Sequence, residues 1–230
     1  MHHLHPIVVV MLMTGALTLM AQRPFPTDLG ATRVETYKTV DAVALKLHVY
    51  EPKGHTAQAK APAVIFFFGG GWKNGSPKQF EHQCRYLASR GMVAITAEYR
   101  ILSLHGTSAK SCVEDGKSAV RWLRKNAVRL GVDPKRIAAG GGSAGAHVAA
   151  CTGIISGFEV GDTTIDSAPN AMLLFNPPMA LTAIDGKPVL DPERAGDLKQ
   201  RCGVDPKRLS PYHHIEKGIP PTIILHGKAD

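Results

Sequence analysis

Two hundred and thirty residues, 44% of them hydrophobic and 20% charged, suffice for one domain with a real core and exclude disorder as the main state. Lys+Arg 27 against Asp+Glu 19 gives a net charge of +8, but the basic residues are scattered and not interleaved with aromatics, so a nucleic-acid partner is not indicated. Gly 23 and Pro 16 imply many turns without a collagen-like or low-complexity pattern.

The chain opens with an apolar run, Ile7–Met20, too short to span a bilayer comfortably and followed by the small residue Ala21. This reads as a secretory signal over residues 1–21, although its start carries His2, His3 and His5 in place of Lys or Arg. A secreted or periplasmic protein without a stable membrane anchor is the expectation, with residues 22–230 forming the domain. Cys84, Cys112, Cys151 and Cys202 are far apart and form no CxxC pair. A zinc site is therefore not indicated, and the choice between two disulfides and single buried thiols stays open.

Within the domain, Arg33–Val40 and Val43–Tyr50 alternate apolar and polar residues, as an antiparallel strand pair does. The continuous apolar run Ala63–Phe68 fits a strand buried on both faces, as in a parallel sheet. Ser76-Pro77-Lys78-Gln79 is a helix start, with Ser as N-cap, Pro at the first helical position and Gln at the third; that helix ends near Arg90 and Gly91. Met92–Ala97 is the next strand. Ser111-Cys112-Val113-Glu114 has the form of a capping box, and Val113, Val120, Leu123, Ala127 and Leu130 carry a helix on to Gly131. A short strand at Arg136–Ala139, a helix at Ala144–Ile155, and strands at Ala171–Phe175 and Thr222–His226 follow. Strands alternating with crossover helices predict an α/β domain, a mostly parallel sheet with helices on both faces. Asn176–Gly218 is a long Pro- and Asp-rich excursion with one short helix near Pro192–Cys202. The hexapeptide Gly-Val-Asp-Pro-Lys-Arg occurs at 131–136 and again at 203–208, which is turn chemistry used twice.

Gly141-Gly142-Ser143-Ala144-Gly145 matches G-x-S-x-G between a strand and a helix, the context that motif requires. A turn this sharp needs side-chain-free neighbours. It lifts the serine hydroxyl out at the strand end, and the following helix aims its free N–H groups and positive dipole end at the same spot. Gly140, Gly142 and Gly145 also fit the dinucleotide fingerprint G-x-G-x-x-G, with Glu159 downstream as the acid. Two features favour the serine reading. The strand Phe66-Phe67-Phe68 runs into Gly69-Gly70-Gly71-Trp72, where the Gly70 and Gly71 N–H groups, with that of Ala144, form a candidate oxyanion hole. Ile223-Ile224-Leu225-His226-Gly227-Lys228-Ala229-Asp230 is a late strand ending in a loop that bears an acid, in the order Ser then Asp.

Together with Glu98-Tyr99-Arg100, Asp115 and Ser210-Pro211, these segments resemble the α/β-hydrolases, in particular the small carboxylesterases related to hormone-sensitive lipase and to acetyl-xylan or feruloyl esterases. The resemblance runs from about Val34 to Asp230. It implies Ser143 as nucleophile, Asp230 as the acid that orients a histidine, and Gly70, Gly71 and Ala144 as oxyanion donors. It also implies Arg100–Asp115 as a structural ion pair, and a small-molecule or carbohydrate ester as substrate, with acetyl or other short acyl groups favoured. No metal or organic cofactor is called for. Phe68 stands where lipase-like members place His.

The same resemblance requires a catalytic histidine after the acid, yet all 11 histidines lie at or before His226. His147 should pack along its helix, His213 and His214 are expected to be structural, and His226 lies at a strand end. The expectation is a chain that lacks the last strand and the catalytic-histidine segment and is nearly inactive by itself. A prolyl-oligopeptidase-like peptidase, a dinucleotide-dependent oxidoreductase and a non-catalytic hydrolase-like binding module stay open.

Overall fold

The computed structural model describes residues 25–228. The expected signal segment and Asp230 lie outside the described residues. Among the described residues, seven strands form one sheet in the order β1-β2-β4-β3-β5-β6-β7. They are β1 (Arg33–Val40), β2 (Val43–Tyr50), β3 (Ala61–Phe67), β4 (Val93–Ala97), β5 (Val132–Gly142), β6 (Ala171–Phe175) and β7 (Thr222–Leu225). β1–β2 and β2–β4 pair antiparallel; β4–β3, β3–β5, β5–β6 and β6–β7 pair parallel. The crossovers carry α1 (Glu81–Ser89), the single turn α2 (Leu102–His105), α3 (Ala109–Lys125) and α4 (Ala144–Ile154), and the excursion after β6 carries α5 (Pro192–Cys202). This is the mostly parallel sheet with covering helices that the strand–helix alternation implies.

The unbroken apolar run of β3 follows from its central position. Ala63, Ile65 and Phe67 point into the larger core with α3 and α4, while Val64 and Phe66 point into a second cluster with Tyr50, Phe80 and Cys84 of α1. Both faces are covered, so neither can be polar. The β1–β2 hairpin alternates because it lies at the sheet edge, where Glu35 and Arg33 remain accessible. All four cysteines are buried free thiols.

Four local expectations are corrected. Ser111 does not cap α3: Ser108, extended at φ −100° and ψ 172°, holds that position, and Ser111 is already helical. Glu114 instead pairs with Lys110 at 2.9 Å, one turn back on the same helix. The helix also stops at Lys125, short of Gly131. The Asn126 side chain donates to the Trp122 carbonyl, and an irregular turn then carries Ala127 and Leu130 into the core on the face the helix had used. The run from Pro77 begins as a 3₁₀ turn, Pro77–Phe80, before α1 takes over at Glu81. Ser76 does cap it, accepting from Lys78 N–H at 3.2 Å, but the Gln79 side chain is used elsewhere. β5 begins earlier and ends later than Arg136–Ala139 because β3 and β6 both pair with it.

The excursion is braced by contacts within itself. Ser210 accepts from Leu181 N–H at 2.9 Å, and its hydroxyl lies 2.7 Å from His213 Nδ1. His213 Nε2 bonds the Ala183 carbonyl and His214 Nε2 the Lys207 carbonyl, each at 3.0 Å. Both histidines are therefore structural, as expected.

Candidate active site

Ser143 stands between β5 and α4 at φ +51° and ψ −120°, a strained conformation for a residue with a side chain. The strain is imposed by packing. A Cβ on Gly145 would lie 2.0 Å from the Phe67 carbonyl oxygen, and one on Gly141 2.5 Å from the same atom. β3, β5 and the first turn of α4 thus meet backbone to backbone, and only glycine fits on either side of the serine. The serine N–H is held by the Phe175 carbonyl at 2.9 Å, and the Ser143 carbonyl accepts from His147 N–H at 3.0 Å. The hydroxyl has no hydrogen-bond partner among the described residues and sits half-buried at the C-terminal end of the parallel strands. The N–H of Ala144, first residue of α4, has no acceptor among the described residues.

The glycine loop approaches this elbow directly. A Cβ on Gly69 would lie 3.4 Å from the Ser143 Cβ and 2.8 Å from the Gly142 carbonyl oxygen. Gly70 at φ +133° and Gly71 at φ +62° adopt backbone that side chains resist, and a Cβ on Gly70 would collide with the Asn74 carbonyl at 2.1 Å. The Gly70 carbonyl accepts from Lys73 and Asn74 N–H, but the Gly70 and Gly71 N–H groups have no acceptor among the described residues. The structure thus brings Ser143, Ala144, Gly70 and Gly71 together. Asp230 lies outside the described residues.

Four contacts hold the loop. Tyr99 donates its hydroxyl to the Phe68 carbonyl and stacks on the Phe68 ring, centroids 4.2 Å apart, so the phenylalanine before the glycines is fully buried. Gln79 accepts from Gly69 N–H, Arg201 of α5 donates to the Gly71 carbonyl at 3.2 Å, and Leu102 N–H reaches the Trp72 carbonyl at 3.0 Å. Gln79 and Arg201 were not singled out by the sequence. Gln79 looked like a helix-start residue, and Arg201 lies 130 positions from its partner. Beside the loop is a cavity of about 290 Å³ bounded by Trp72, Lys73, Thr107, Asp197, Gln200 and Arg201.

Charges behind the site are structural. Arg100 grips Asp115 through Nε at 2.8 Å and Nη2 at 2.9 Å, and Lys38 adds a third contact at 2.7 Å. Asp115 is wholly buried, so the paired cations are what keep its charge tolerable. Glu159, the acid of the dinucleotide alternative, is in the loop after α4 and not at a strand end. It is bound by Lys117 at 2.6 Å and by Arg121. His147 does pack along α4: its Nε2–H donates to the Leu209 carbonyl at 2.6 Å, and its ring meets Trp72 edge-on. Burial pushes its pKa down to about 4, partly opposed by that bond, so the ring is neutral at pH 7.

Comparison with known proteins agrees with this geometry. The esterase LipC of Mycobacterium tuberculosis is 28% identical over 190 residues, covering 74% of this chain and 44% of its own length. The carboxylesterase NlhH of the same organism is 31% identical over 107 residues, 46% of this chain and 32% of its own. The chain thus spans less than half the length of these curated relatives. Among solved structures, Thermogutta terrifontis esterase 2 phosphonylated by sarin superposes with a TM-score of 0.85 at 47% identity, over 90% of this chain and 76% of the other. With a strand–Ser143–helix elbow facing a triple-glycine loop, and with residues 47–230 matching the family description, the chain belongs to the BD-FAE family of esterase-like α/β-hydrolases.

Proposed function

We propose that the protein is a serine carboxylic-ester hydrolase working through an acyl-enzyme. The observation that carries this is the strained Ser143 at the strand–helix elbow, packed against Gly69 of a loop whose Gly70 and Gly71 N–H groups have no acceptor among the described residues. Ser143 Oγ attacks the ester carbonyl and its proton passes to a histidine base. The carbonyl oxygen becomes an oxyanion against the N–H groups of Gly70, Gly71 and Ala144. The bond to the alkoxy oxygen then breaks, and the alcohol leaves with the proton. Water, deprotonated by the same base, attacks the acyl-serine to release a carboxylic acid and restore the hydroxyl. Each oxyanion donor contributes roughly 2.7–4 kcal/mol of transition-state stabilisation. The Ser143 N–H is excluded from this role because Phe175 already holds it.

The base and acid of the reaction come, in this reading, from outside residues 25–228. The acid is Asp230. His147, His213 and His214 are committed to backbone carbonyls away from the hydroxyl. Short acyl groups are the proposed substrates. Support comes from the T. terrifontis esterase 2, whose structures include propionate-bound and butyrate-bound forms. The mixed aromatic and polar wall of the 290 Å³ cavity suits a hydroxylated leaving group, which extends the proposal to acetylated carbohydrate.

The test is fluorophosphonate labelling of the intact protein, with acetyl, butyryl and long-chain esters, acetylated xylan and a peptide substrate run in parallel. Phosphonylation at Ser143, its loss in Ser143→Ala, and a preference for short acyl esters are expected. An intact protein that resists the label and hydrolyses no ester would be a binding module on a hydrolase frame. Preference for the peptide would move it to the peptidases.

A further inference from the structure

Gln79 sits where the glycine loop and the serine elbow meet. Its Oε1 accepts from Gly69 N–H at 2.5 Å. The same oxygen lies 3.4 Å from the place a Gly69 Cβ would occupy and 3.8 Å from that of Gly142. The Ser143 Cβ is likewise 3.4 Å from the Gly69 position, so the carboxamide and the serine flank one glycine.

The base of the Gln79 side chain is fixed. Pro77 and Phe80, on either side of it in the 3₁₀ turn, are buried. Thr96 of β4 donates its hydroxyl to the Pro77 carbonyl at 2.8 Å. Phe80 stacks parallel on Phe66 of β3, centroids 4.7 Å apart. The turn is thus bolted to β3 and β4, and Gln79 carries that rigidity to the glycine loop. Three successive glycines have the widest backbone freedom of any residues. Of their N–H groups, only that of Gly69 is engaged among the described residues.

We propose that Gln79 is a positioning residue for the ester-hydrolysis site: by holding the Gly69 peptide it sets the Gly70 and Gly71 N–H groups in place before the oxyanion forms. This rests on the esterase reading above. Donors that need no reorganisation at the moment of reaction are worth more than donors that must be recruited. Neutrality matters as well. A glutamate would keep an acceptor for Gly69 but place a negative charge next to the one developing on the substrate.

The experiment compares wild type, Gln79→Leu and Gln79→Glu in the intact protein, by steady-state kinetics on a short-acyl ester and by amide hydrogen exchange at Gly69–Gly71. For Gln79→Leu, kcat is expected to fall about 10- to 100-fold, below the loss of a whole oxyanion donor, with KM little changed. Gln79→Glu should lose activity relative to wild type as pH rises through the glutamate titration. Gly69 N–H, protected in wild type, should exchange as fast as Gly70 and Gly71 in Gln79→Leu. An active wild type matched in kcat by Gln79→Leu, or a Gln79→Glu pH profile parallel to wild type, overturns the role. If the wild type hydrolyses no ester, the esterase reading fails by itself and exchange decides Gln79. Equal Gly69 protection in wild type and Gln79→Leu overturns the proposal, and faster exchange in the variant upholds the loop-holding contact.

Discussion

His147 stands one helical turn beyond Ser143, and the elbow's own geometry decides that it is not the base. Its Nε2–H is spent on Leu209, its ring is shut between Trp72 and Cys151, and its pKa is pushed down to about 4 from the ordinary 6.5. The folded state therefore holds this group neutral where the unfolded chain would protonate it. The resulting stability is fully present above pH 6.5 and is lost as pH falls through 4, up to about 3 kcal/mol for a shift of this size. Urea unfolding at pH 7, 5.5 and 4 should show the fall in wild type and a flatter profile in His147→Gln, which starts from lower stability at neutral pH. Equal slopes for the two proteins would show that another group carries the titration. The elbow at Ser143 was readable at this scale because G-x-S-x-G specifies backbone room, and room is a property of residue type. Gln79 was not readable, because a carboxamide in a helix-start pattern gives no sign of which backbone it will reach.

At the scale of elements, α3 and the loop after α4 depend on each other. Lys117 and Arg121 point from α3 toward that loop with side chains 3% and 8% exposed. They bind the Ile155, Val160 and Ile165 carbonyls, and Glu159 neutralises both. Glu159→Gln leaves two cations in a low-dielectric setting. The expected loss is about 2–3 kcal/mol, kept at or below the lower end for a broken buried pair because Glu159 is itself 28% exposed. Chemical denaturation measures it, and a change under about 0.5 kcal/mol would mean that the backbone carbonyls alone suffice to hold the cations. The variant should keep wild-type kcat, since among the described residues no hydrogen bond or ion pair links this cluster to the glycine loop. The α3 start shows the limit of local patterns: Ser111 and Glu114 satisfied the capping spacing, but tertiary packing extended the helix back to Ala109.

For the whole molecule, the parallel sheet gathers Ser143, Ala144 and the glycine loop at the C-terminal ends of β3 and β5, while α5 returns from a distant part of the chain to support the loop from outside. β7 is the last strand in the order of the described sheet. It pairs with β6, yet Ile223, Ile224 and Leu225 are 63%, 51% and 49% exposed among the described residues.

The sequence by itself determined the sheet and the elbow. A short continuous apolar run bounded by turn residues, such as Ala63–Phe68, fits a strand covered on both faces, and glycines flanking a serine between strand and helix leave one sharp turn. It also carried the Arg100–Asp115 pair, through resemblance, and the structural roles of His147, His213 and His214. Only the tertiary structure decided how the glycine loop is held, which N–H groups remain unpaired, and where α3 begins and ends. Those outcomes depend on contacts between residues far apart in the chain, such as Gly71 with Arg201, and a pattern of neighbouring residue types carries no record of them.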